Sequence, residues 1–94
     1  MAIAVYMHPK GMTLAQFNEI HRRLDVSGNG VNPHRLHHSC FGEDGELMVY
    51  DIWDSPESFR AFGAVLMPIL AEVGVDMGEP ALMPLHQVIQ TTTG

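Results

Sequence analysis

The sequence predicts one α+β domain of βαββαβ order, its four strands forming an antiparallel sheet with both helices on one face. Three observations carry this. Two capped helical stretches separate four short apolar stretches, an Asp-Gly turn joins the middle two strands, and 94 residues at 46% hydrophobic content suffice for one core.

The first strand is read at residues 2 to 8, an apolar run stopped by His8-Pro9-Lys10-Gly11. Thr13 and Gln16 make a capping box for the first helix, whose Leu14, Phe17, Ile20, His21 and Leu24 share a face as far as about Asp25. Ser27-Gly28-Asn29-Gly30 then forms a loop, because glycine-rich helix is costly. Pro33 to Phe41 and Leu47 to Trp53 read as a hairpin turned at Asp44-Gly45. Ser55 caps the second helix, with Pro56 at its first position and Glu57 near the positive end of its dipole. Phe59, Phe62, Leu66, Leu70 and Val73 mark its buried stripe. Pro68 removes one backbone hydrogen bond and predicts a kink near Ala64 or Val65. Gly74 and Gly78 end the segment, and Ala81 to Gln90 reads as a last strand that Pro84 places at an edge or a bulge. The tail, residues 91–94, is expected to fray. This is the ferredoxin-like arrangement, with residues 1–94 as a single domain.

Alternation along the strands puts apolar residues on both sheet faces: Ile3, Val5 and Met7 against Ala4 and Tyr6, and Leu47 and Val49 against Met48 and Ile52. Two helices cover only one face. A second copy of the chain would cover the other, so a homodimer joined through sheet faces is expected.

Five basic against eleven acidic residues give a formal net charge of -6, which disfavours nucleic acid and anionic membrane surfaces as partners. Cys40 is the only cysteine, so no intrachain disulfide forms and a reducing, cytoplasmic setting is expected. No apolar run approaches the roughly 18 residues of a membrane span, and the first residues lack the basic start of a targeting signal. No glycine-rich loop follows a strand to cradle a phosphate, so no nucleotide or flavin cofactor is expected.

Tyr50-Asp51-Ile52-Trp53-Asp54-Ser55-Pro56-Glu57-Ser58-Phe59-Arg60-Ala61-Phe62, followed by Leu66-Met67-Pro68-Ile69-Leu70, resembles the dimeric α/β-barrel superfamily, particularly the antibiotic biosynthesis monooxygenase type. The resemblance spans nearly the whole chain. It implies a homodimer and a pocket between helices and sheet for an apolar or aromatic small molecule, partly lined by the Trp at the strand end, here Trp53. It also implies reactions ranging from cofactor-free oxygenation to cyclisation and isomerisation, beside members that have no known chemistry. Where the quinone-forming oxygenases carry Asn and Tyr around that Trp, this chain has Val49 and Phe59. The haem-binding His of other relatives is replaced by Gly63.

Six histidines stand out in so short a chain, because imidazole moves protons near neutral pH. His34, His37 and His38 lack the spacing of a metal site, and no metal is expected. A two-residue turn pairs His38 with Asp51 and Leu36 with Trp53, whereas a loop one residue longer pairs His37 with Asp51 and Arg35 with Trp53. Either register sets a histidine against Asp51. A carboxylate beside an imidazole fixes its tautomer and raises its basicity, as a general base requires; the same pair also serves as a cross-strand contact worth roughly 0.2 to 1 kcal/mol. His38, Asp51 and His21, which sits in the apolar stripe of the first helix, are therefore the candidate catalytic residues. Trp53, Tyr6, His37, His86, Phe59 and Phe62 are the candidate pocket residues, several of them equally suited to packing.

Overall fold

The computed structural model of the chain describes residues 1–91. Six elements follow in order: β1 (Ile3–Met7), α1 (Leu14–Val26), β2 (Arg35–Phe41), β3 (Met48–Trp53), α2 (Pro56–Val73) and β4 (Ala81–Pro84). The sheet runs β2-β3-β1-β4 with every neighbouring pair antiparallel, which is the ferredoxin-like order.

Both helices begin as their sequences dictate. The Thr13 side chain accepts from the Gln16 N–H while Gln16 reaches back to the Thr13 N–H, satisfying donors that the first turn leaves free. Ser55 accepts from the Ser58 N–H, and Gly74 ends α2 at φ 85°, a left-handed cap whose N–H bonds to the Leu70 carbonyl. The helix is continuous through Pro68. Leu14, assigned by periodicity to the buried stripe of α1, is instead 49% exposed, because the core-facing arc starts at Phe17.

The core lies between the two helices and one sheet face. Ile3, Val5 and Met7 of β1 and Val49 and Trp53 of β3 pack against Ile20 and Leu24 of α1 and Phe62 and Leu70 of α2. At the other end of the hairpin, the Glu46 N–H bonds to the Glu43 carbonyl across Asp44-Gly45, with Gly45 at φ 90°.

Two expectations about strands need correction. β2 pairs His38 with Asp51 and Cys40 with Val49, but a bulge between Arg35 and His37 sets Arg35, not Leu36, opposite Trp53. β4 stops at Pro84 rather than Gln90. Its ladder sets Pro84 opposite Ile3, where β1 begins, and the Leu85 N–H to Ala2 carbonyl bond is the last rung. Beyond it no strand among the described residues lies alongside, and Pro84 itself has no N–H to give. Of the expected frayed tail, Thr91 is exposed and outside any element, while residues 92–94 lie outside the described residues.

Candidate active site

Strand alternation turns Asp51 and Trp53 of β3 inward together, and the β2–β3 register delivers His38 beside Asp51. The His38 Nδ1 lies 2.6 Å from Asp51 Oδ1. The other carboxylate oxygen accepts from the Trp53 indole N–H at 3.4 Å. From α1, one turn beyond Phe17, His21 brings its Nε2 to 3.2 Å from His38 Nε2. The result is a chain of contacts from buried Asp51 through His38 to His21, spanning three elements. Phe17 closes one flank, its ring 4.4 Å from that of His21 and stacked at 5.9 Å on that of His38.

The order of the chain assigns its protons. With the buried Asp51 accepting as a carboxylate, a neutral His38 donates from Nδ1 and leaves Nε2 bare. That lone pair accepts from His21 Nε2–H, which leaves His21 Nδ1 free to take a proton. Burial lowers the pKa of His21 below its ordinary range, and positive charge on His38, whenever that ring is protonated, and on Arg35 acts in the same direction. A neutral, proton-accepting His21 follows at pH 7.

His21, His38 and Asp51 all line a cavity of about 60 Å³ between the helices and the sheet. Its remaining wall is mainly apolar, with Met7, Met12, Phe62 and Leu66 among the contributors, and Arg35 is its one cationic residue. Among the described residues no three His, Cys, Asp or Glu side chains converge on a point that would hold a metal ion.

The structure thus joins the three candidate catalytic residues and separates the pocket candidates. Phe62 lines the cavity. Trp53 is fully buried behind it, holding Asp51 and packed by Phe59 at 5.9 Å and Phe62 at 5.2 Å. Tyr6 faces away, since β1 turns Ile3, Val5 and Met7 to the core, and it stands opposite Tyr50 on the outer face. His37 is on that face too, its ring 5.6 Å from that of Tyr50 and its Nε2 3.2 Å from Ser39 Oγ. His86 lies past the end of β4 and is exposed. Cys40 turns inward among apolar neighbours, and burial pushes its thiol up, away from the reactive thiolate. Sequence reasoning left Arg35 out of the site. The longer hairpin register, which set Arg35 opposite Trp53, held the signal.

No known family model matches the chain, and no curated protein matches it in sequence. Solved structures match in shape over almost its whole length. SnoaB, a cofactor-independent oxygenase from Streptomyces nogalater, superposes with a TM-score of 0.64 at 17% identity, covering 96% of this chain and 97% of its own. The fold is that of antibiotic biosynthesis monooxygenase structures. A Chloroflexus aurantiacus protein provisionally described as such a monooxygenase gives a TM-score of 0.62 at 16% identity, covering 94% of this chain and 97% of its own. Rv0793 from Mycobacterium tuberculosis gives 0.61 at 12% identity, covering 98% of this chain and all of its own.

Proposed function

We propose that the chain is an enzyme that removes a proton from an apolar or aromatic small molecule at the cavity, as the opening step of a cofactor-independent oxygenation. The observation that carries this is the Asp51–His38–His21 chain ending at an apolar cavity. Proton uptake at His21 Nδ1 passes the Nε2 proton on to His38, whose imidazolium the buried Asp51 carboxylate stabilises. The substrate carbanion left in an apolar pocket is poised to reduce dioxygen, converting a CH2 group to C=O with release of water. The shape shared with a cofactor-independent oxygenase supports the same reading. A cavity of about 60 Å³ takes the reacting end of such a molecule, since pockets that enclose a drug-sized ligand span roughly 300 to 1,000 Å³.

A second, noncatalytic reading rests on Val49 and Phe59, which bring no polar group to positions that carry Asn and Tyr in the quinone-forming oxygenases. The two separate by experiment. Hydroxyaromatic ketones and anthrone-like compounds with an activated CH2 should show oxygen uptake or deuterium exchange at that carbon. His38→Gln and Asp51→Asn should each lower kcat about 100-fold or more while KM changes little. Saturable binding with neither exchange nor oxygen uptake would establish the noncatalytic reading.

We also propose that the working form is a homodimer joined through the outer sheet face. That face carries Tyr6, Met48 and Tyr50 beside Phe41 and Met83, the last two 44% and 49% exposed.

A further inference from the structure

We infer that Arg35 is a specificity-determining residue that makes the cavity select flat, apolar ligands bearing a carboxylate or enolate oxygen. This rests on the cavity being the ligand site, but not on any reaction occurring there.

Strand alternation counted from His38 would turn Arg35 to the outer face. The bulge between Arg35 and His37 inserts one residue, Leu36, which is 57% exposed, and so returns Arg35 to the inner face opposite Trp53. A single inserted residue therefore points a cation into an apolar cavity. Once there, its guanidinium stands 5.9 Å from the Trp53 ring centroid and 5.3 Å from that of Phe62. Contact with two buried rings anchors the guanidinium, whose N–H edge bonds no side chain among the described residues.

No carboxylate takes that edge. Arg22 and Arg23 are paired with Glu19 and Glu72, yet among the described residues no acid lies within ion-pairing distance of Arg35. Asp51 shares the cavity, but its two oxygens are directed at His38 and Trp53. A half-buried guanidinium with unfilled donors suits the planar, two-pronged geometry of a carboxylate, or the single oxygen of an enolate. The acidic surface does not prevent this, because its field is screened beyond about 8 to 10 Å at physiological salt.

Benzoate and its neutral isostere benzamide test the inference by NMR titration at pH 7.5, followed through backbone amides around Arg35 and the imidazoles of His21 and His38. Wild type should bind benzoate at least tenfold more tightly than benzamide. Arg35→Met should remove that preference while benzamide affinity stays within about twofold, and Arg35→Lys should retain part of it. Equal affinities in wild type, or binding of neither compound, would overturn the inference, as would a preference that survives in Arg35→Met. Should Arg35→Met fail to fold, Arg35→Lys and the wild-type ratio decide the matter. Because no turnover is read, loss of the catalytic reading would leave this result standing, and the converse holds too.

Discussion

A carboxylate taken out of water loses solvation worth several kcal/mol, and Asp51 offsets that loss with two donors, the His38 imidazole and the Trp53 indole. The arrangement explains why Trp53 is buried behind the cavity rather than exposed to it: the indole N–H is needed by the acid. At the other end of the chain His21 contributes a pH dependence with a definite sign. Its folded-state pKa is depressed below 6.5, first by burial and then by positive charge on a protonated His38 and on Arg35. Above pH 6.5 folded and unfolded chains both hold His21 neutral, and its effect on stability is nil. As pH falls below 6.5 the unfolded chain takes up a proton that the folded chain refuses, so stability declines until the folded pKa is passed. Urea denaturation of wild type and His21→Gln between pH 8 and 5 should show a shallower acid decline in the variant. Parallel pH profiles would mean that His21 carries no such shift.

At the scale of elements, what was legible in the sequence were features set by local chemistry. Thr13, Gln16 and Ser55 announced the helix starts because capping is decided within four residues, and Asp44-Gly45 announced the hairpin because the turn needs positive φ at one position. The histidine facing Asp51 was legible to within one residue for the same reason. What the sequence concealed was set by contacts remote in the chain. The bulge at Leu36 lets β2 hold one register at His38 and another at Arg35, so each of the two registers read from the turn is true of part of the strand. β4 is short because β1 offers no further partner, a fact invisible in the stretch from Ala81 to Gln90 itself. Tyr6 and His37 lie off the cavity because their face depends on which side the helices take, and His86 because it follows the end of β4. Burial of Asp51 could be read only once Trp53 was seen to donate to it.

At the scale of the whole molecule, one sheet face is covered by helices and the other is open, with Phe41 and Met83 44% and 49% exposed beside tyrosines and a histidine. Light scattering at micromolar concentration should give about twice the 10.4 kDa chain mass, and Tyr50→Lys, which adds a charge to the centre of that face, should shift it toward one. A wild-type monomer would exclude pairing through the sheet. The proton chain is equally a property of the whole, since α1, β2 and β3 must all be in place before His21, His38 and Asp51 meet. Long-range 1H–15N NMR of the imidazoles at pH 7.5 tests it most directly. The prediction is His38 protonated at Nδ1 with Nε2 bare and His21 protonated at Nε2, with Asp51→Leu losing the His38 preference and disturbing His21 with it. His38 protonated at Nε2 alone, or a His21 unaffected by the loss of Asp51, would contradict the relay.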